Sequence, residues 1–240
     1  AVNKKQGKFS AADLRLLAKM AAFLAIPLQN AVLIRRMLEK EKVEKELQIA
    51  RGIQQSFLLQ DPVVFPGLDI AFLNIPSSKV GGDYYEIMPL DERRIVFSVN
   101  DVAGHGIPAS LLMAVFRSSF VHHLRHSGDI SVTIGYLNRL LAETTEANLY
   151  VTSFTCKLDT ASGDLEYINA GHPPPLVVRG SATLLLDSGG MAVGMFSDCE
   201  YPLARFRLRQ GDILVFYTDG VIEAANEKGE EYSRERLAAA

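Results

Sequence analysis

From Leu14 to Val32 apolar residues recur at spacings of three and four: Leu14, Leu17, Met20, Ala21, Leu24, Leu28, Ala31 and Val32. That period draws one broad apolar face on a helix. Ser10 stands at the N-cap position with Asp13 three residues later, a capping-box start. Pro27 predicts a kink and not a stop. Beyond Arg35 the pattern becomes an alternating charge run, RRMLEKEKVEKE, with Glu41 and Lys45 in the favourable i,i+4 order, which is a solvated helix. Val43, Leu47, Ala50 and Phe57 continue an apolar spacing of four, three and seven. A two-stranded coiled coil between protomers is one reading, although Arg36, Lys40 and Gln54 interrupt its seam; a single exposed linker helix is the other. Gly52 loosens the helix, and Pro62 to Pro66 mark a boundary. Residues Ala1 to Gly7 are compatible with a short strand.

Past the boundary the pattern turns to short β-runs: Leu68 to Asn74, Tyr84 to Met88, Arg94 to Val99, Tyr150 to Lys157, Leu165 to Asn169, Pro175 to Arg179, Thr183 to Leu186, Ala204 to Leu208 and Ile213 to Thr218. Two helices interrupt them. Ile107 to Ser127 opens with Pro108 in its first turn, and Ile130 to Glu146 carries Ile130, Ile134, Leu137, Leu140 and Leu141 on one face. Many strands around one adjacent helix pair predict an α+β fold, a layered β-sandwich flanked by helices.

Composition adds limits. With 240 residues, 48% of them hydrophobic, the chain has ample material for a core and is not a disordered segment. Its net charge of −3 with scattered Lys and Arg offers no basic stripe for nucleic acid. Cys156 and Cys199 are the only cysteines and form no CxxC pair, so neither a disulfide framework nor a cysteine zinc site is expected. The apolar stretch Leu14 to Ile34 is broken by Arg15, Lys19, Pro27, Gln29 and Asn30, which predicts no membrane span; a cytoplasmic location is expected.

Candidate chemistry lies in three aspartates beside glycine and apolar strands: Asp83 in VGGDYYEI, Asp101 in VFSVNDVAGHGIPA and Asp219 in DILVFYTDGVIEA. Asp and Gly together commonly mark turns, and each aspartate alone reads that way. Their joint occurrence, with only Asp83 near a lysine, Lys79, points to a site for a hard divalent cation such as Mg²⁺ or Mn²⁺. The DVAGHGIP loop lacks the Gly-Lys-Ser/Thr ending of a Walker phosphate loop.

Four blocks, VGGDYYEI, VNDVAGHGIPASLLMA, YINAGHPPPLVV and GDILVFYTDGVIEAAN, occur in the order and spacing of a known family. From about Gln48 onward the chain resembles the RsbU and sporulation-stage-II-E branch of the PPM-type, metal-dependent serine/threonine phosphatases. The resemblance implies that Asp101 bridges two Mn²⁺ or Mg²⁺ ions, that Asp83 and the backbone carbonyl of Val102 serve one, and that Asp219 serves the other. It implies water activated by two metals for in-line attack on phosphoserine or phosphothreonine, with no protein nucleophile. The implied substrate is a phosphorylated regulatory protein, an anti-sigma-factor antagonist in partner switching. Relatives also carry an Asp-Asp pair on a late strand, which this sequence does not reach. Asp164, Asp187 and Asp198 read as turn residues and do not replace it, so truncation or a weakened metal site is expected. A shorter resemblance, over VNKKQGKFSAADLRLLAKMAAFLAIPLQNAVLIRRM, is to the last strand and helix of a GAF sensory domain. The implied organisation is a GAF-like remnant at 1–34, a linker helix at 35–60 and a phosphatase domain at 61–240, self-associating as a homodimer through the N-terminal helix.

Histidines were the remaining candidates for proton transfer. His105 is expected to be a solvent-facing turn residue. His172 is expected to order the NAGHPPP turn by hydrogen bonding, with a catalytic role the lesser reading. His122, His123 and His126 belong to a helix surface, although the spacing of His122 and His126 also suits a metal. Two rival functions remain open: a non-catalytic binding module with a vestigial metal site, and a metallohydrolase of small phosphoesters.

Overall fold

The computed structural model describes residues 10–58, 63–76, 80–145 and 149–239. The expected strand at Ala1 to Gly7, the boundary residue Pro62, Lys79 and the helix end at Glu146 lie outside these. Contacts divide the chain into two compact units, Ala1–Ile49 and Ala50–Ala240.

Helix α1 runs without interruption over Ala11–Phe57 and contains Pro27. Its start is the expected reciprocal box: Asp13 N donates to Ser10 Oγ (3.3 Å) and Ser10 N donates to Asp13 Oδ2 (2.8 Å). Glu41 and Lys45 pair at 3.0 Å on its surface. None of its residues is buried; Phe23, Leu28 and Met37 are among the exposed apolar ones. One 18-residue window has a mean hydropathy of 1.6, so by length and composition alone the helix is apolar enough to cross a membrane.

The second unit is layered. Strands β1 (Tyr84–Pro89), β2 (Arg94–Val102), β3 (Val151–Asp159), β4 (Asp164–Ala170), β7 (Gly189–Gly190) and β8 (Ala204–Arg207) form a six-stranded sheet in the order β1-β2-β3-β4-β7, with β8 also paired to β4. Strands β5 (Leu176–Arg179), β6 (Ala182–Leu185) and β9 (Ile213–Val215) form a second sheet in the order β6-β5-β9. Alternation along β2 explains the layering. Val96 and Val102 face helices α2 (Gly106–Ser127) and α3 (Ile130–Thr144), where Phe116, Phe120, Ile134 and Leu137 are fully buried. Ile95 and Phe97 face the other way, into a core with Phe154, Cys156, Val177 and Phe216 between the sheets. Helices α2 and α3 join through Gly128, left-handed at φ 63°, and Asp129, whose carboxylate accepts from Ser131 N and Val132 N.

Three expectations need correction. Leu68 to Asn74 forms no strand beyond a single bridge between Phe65 and Leu68; Leu68, Ile70 and Phe72 do alternate inward against the inter-sheet core, so the segment is extended without a ladder partner. Asp164 is the first residue of β4, opposite Arg207, and not a turn residue. Strand β9 stops at Val215 instead of Thr218, because its ladder ends at the pair Leu176↔Val215, where β5 is preceded by Pro173, Pro174 and Pro175, which have no N–H to pair; the one-turn helix α4 (Asp219–Ile222) follows three residues later. A last short helix, α5, covers Arg234–Ala239.

Candidate metal centre

Asp101 is the last residue but one of β2, opposite Thr152 of β3, so it does stand where the strand ends, two residues beyond the expected limit at Val99. Its odd position puts it on the face that carries Ile95 and Phe97, at the rim of the inter-sheet layer. Asp83 stands just before β1, and the register Tyr84↔Asn100 brings it beside Asp101, near enough for the two carboxyl groups to act on each other. The approach depends on Gly82. A Cβ built there would lie 2.8 Å from the Val102 carbonyl oxygen and 3.1 Å from Val102 Cβ, so only glycine lets the Asp83 loop lie against the end of β2. The same loop is held from α1, where Gln54 Nε2 donates to Gly81 O (2.7 Å) and Gly81 N donates to Gln54 Oε1 (3.2 Å).

Asp219 opens α4 and is exposed. Thr218 before it donates its hydroxyl to Asp83 Oδ2 at 2.8 Å, which ties the third aspartate's segment to the first. Burial, then the hydrogen bond and charge of Asp83, then the charges of Asp219 and Glu223, push the Asp101 carboxyl up to about 8. Crowded acids that hold a proton near neutral pH are the electrostatic counterpart of a cation site. Hard carboxylate and carbonyl oxygens suit Mg²⁺ or Mn²⁺, which bind through one or two carboxylates and keep several waters. The donor set therefore fits a divalent ion at Asp83, Asp101 and the Val102 carbonyl. Among the described residues, however, no three His, Cys, Asp or Glu side chains close into a ready-made metal cage. Asp219 is near enough to act on Asp101 through its charge without completing one.

Glu223, four residues after Asp219, was missed by sequence reasoning; its i,i+4 spacing from Asp219 was the available signal. The histidines separate clearly. His105 is exposed at the N-cap position of α2 and makes no capping bond. His122 and His126 meet with tilted rings, centroids 4.4 Å apart, on the surface of α2, and His123 stacks on Tyr136 and bonds Thr133 Oγ1. His172 is buried beside the centre. Its Nε2 lies 3.1 Å from Tyr217 O and its Nδ1 2.9 Å from Thr152 Oγ1, and burial lowers its pKa to about 4. With both nitrogens engaged, it is a structural hub and not a free proton donor. A groove of about 640 Å³ lies elsewhere, around Arg94 at the far end of β2, and its charges largely pair with one another, as in Lys157 with Glu166 and Arg205 with Glu166.

A family model described as Stage II sporulation protein E (SpoIIE) matches residues 91–240. The chain is 32% identical to Phosphoserine phosphatase RsbP of Bacillus subtilis over 77% of its own length and 47% of the relative's. It is 28% identical to Phosphoserine phosphatase RsbU of the same organism over 79% of its own length and 57% of the relative's. It thus spans about half the length of the curated relatives it matches. The SiaA-PP2C domain of Pseudomonas aeruginosa shares the fold, with a TM-score of 0.69 at 21% identity over 83% of this chain and 81% of that one. The chain carries a PP2C-like fold with its paired aspartates at the rim of the inter-sheet layer, and it belongs to the Stage II sporulation protein E (SpoIIE) family.

Proposed function

We propose that this chain is a metal-dependent protein serine/threonine phosphatase. The observation that carries the reading is the placement of Asp83 beside Asp101 by the β1/β2 register and the close approach of Gly82 to Val102, in a family whose relatives include two phosphoserine phosphatases. Asp101 would bridge two ions, with Asp83 and the Val102 carbonyl serving one and Asp219 the other. When bound, Mn²⁺ or Mg²⁺ supplies activation of water and positive charge against the phosphoryl oxygens. The chain's own part is to hold these ligands in place: Gly82 allows the Asp83 loop to close on Val102, and Thr218 fixes one oxygen of Asp83. His172 takes no proton-transfer role, since its ring donates to one carbonyl and accepts from one hydroxyl. The substrate is phosphoserine or phosphothreonine on a cytoplasmic regulatory protein of the anti-sigma-factor antagonist type, and α1 joins two protomers.

That no group of three His, Cys, Asp or Glu side chains closes around Asp219 among the described residues favours a second reading, a binding module with a vestigial centre. Hydrolysis of a phosphoserine protein in Mn²⁺, abolished by Asp101→Asn, supports the phosphatase. Tight binding of the same phosphoprotein with no turnover in Mn²⁺ or Mg²⁺ supports the module.

A further inference from the structure

Asp101 lies in the six-stranded sheet and Asp83 directly before its first strand, whereas Asp219 follows the three-stranded one, and no backbone ladder joins the two sheets among the described residues. Something other than ladder hydrogen bonds must set their spacing at the carboxylate rim. We propose that His172 is a positioning residue that fixes this seam and so keeps Asp219 in reach of an ion held by Asp83 and Asp101. The proposal rests on the metal-centre reading above.

His172 sits on the crossover from β4 in the large sheet to β5 in the small one. Its main chain is gripped from both sides by Asn169, whose Oδ1 accepts from His172 N (2.8 Å) and whose Nδ2 donates to His172 O (2.9 Å). The ring then reaches both sheets. Tyr217 O can only accept, so Nε2 carries the proton; Nδ1 is left with its lone pair and accepts from the Thr152 hydroxyl. Thr152 is the register partner of Asp101. Tyr217 stands two residues before Asp219, and Thr218 between them donates to Asp83. A circuit closes: Asp101 to Thr152 across the ladder, Thr152 to His172, His172 to Tyr217, and Thr218 back to Asp83. Pro173, Pro174 and Pro175 stiffen the crossover, and Tyr217 Oη donates to Pro174 O at 3.1 Å. His172 is 4% exposed, so these bonds have little competition from water.

The test reads metal binding without turnover, so that failure of the phosphatase reading appears in the hydrolysis assay instead. Mn²⁺ is titrated into the protein by calorimetry, the coupling between bound ions is followed by electron paramagnetic resonance, and melting is measured without metal. His172→Phe keeps a ring without its nitrogens, Thr152→Val removes one donor at nearly constant shape, and His172→Gln retains a donor and an acceptor. In the first two variants one of two ions should bind about 10- to 100-fold more weakly, the range seen when groups behind metal ligands are removed. The coupled signal should give way to that of isolated Mn²⁺, and His172→Gln should restore most of the lost affinity. The proposal is overturned if Thr152→Val and His172→Phe bind two coupled ions at wild-type affinity. It is also overturned if both ions weaken together in proportion to a lowered melting temperature. A wild type that binds no Mn²⁺ removes the metal-centre reading and this proposal with it.

Discussion

Gly82→Ala adds a single methyl group at the closest backbone approach in the centre. Gly82 is not in the left-handed region, so the substitution carries no backbone penalty of its own, and the effect comes from contact alone. The new Cβ would stand 2.8 Å from Val102 O and 3.3 Å from Val102 N, both backbone atoms. An unstrained contact of this kind needs about 0.5 Å more. Val102 cannot easily yield, because it pairs with Val151 at the end of the β2/β3 ladder. The loop must therefore move outward and take Asp83 with it. Overpacking of this size costs about 1–3 kcal/mol, and for a unit this long each kcal/mol lowers the melting temperature by about 2–4 °C. The more telling loss is in metal binding: displacing a ligand's support should weaken Mn²⁺ by about 10- to 100-fold. Gly135→Ala is the control. It lies in α3 with open space where a Cβ would go, and should raise stability by about 0.5–1 kcal/mol. Melting curves without metal and calorimetric Mn²⁺ titration measure both effects. A Gly82→Ala protein that melts and binds Mn²⁺ like wild type would refute the close-packing argument.

Other perturbations separate the remaining parts. The folded Asp101 carboxyl holds its proton up to about 8, whereas an unfolded aspartate titrates near 4. The metal-free protein should therefore lose stability progressively as pH rises from about 4 to about 8 and level off above that; Mn²⁺ should restore it, and Asp101→Asn should flatten the dependence, all read from melting temperatures. Asp129→Ala removes the cap that accepts from Ser131 N and Val132 N and should cost about 1 kcal/mol in denaturant unfolding, with Mn²⁺ affinity unchanged. The uncovered apolar face of α1 should drive self-association in sedimentation without detergent. A concentration-independent monomer, or recovery with floating lipid vesicles, would count against pairing of α1 between protomers.

The legible parts of the sequence were those with local causes. Period-two alternation located β1, β2, β3, β4 and β8 of the large sheet but not the two-glycine β7, and the i,i+3/i+4 pattern located α1, α2 and α3, because burial on one face is written into neighbouring residues. Asp83 and Asp101 stood out for the same reason, each a polar residue interrupting an apolar run beside glycine. Their supporting bonds were not readable. Thr152 meets His172 across 20 positions, His172 meets Tyr217 across 45, and Thr218 meets Asp83 across 135. Such pairs follow from the docking of two sheets, not from spacing. Leu68 to Asn74 shows the opposite limit: alternation predicts an extended, half-buried segment but not whether a neighbouring strand is available to pair with it.

The carboxylates hang from unequal parts of the architecture. Asp101 lies in a strand paired on both sides, by β1 and β3, while Asp219 follows β9, a three-residue edge strand. The outer positions of that small sheet, such as Leu184, Leu185 and Ile213, are open to solvent. Local opening begins where ladders are short and one face is uncovered. Amides of β9 and α4 should then exchange with solvent well before those of β2. A cation at Asp219 would come and go through such fraying, with the Asp83 and Asp101 pair intact. On the phosphatase reading proposed above, Asp83 and Asp101 would be the fixed half of the centre and Asp219 the releasable half, so that full occupancy would be limited by the weaker sheet and not by the whole fold.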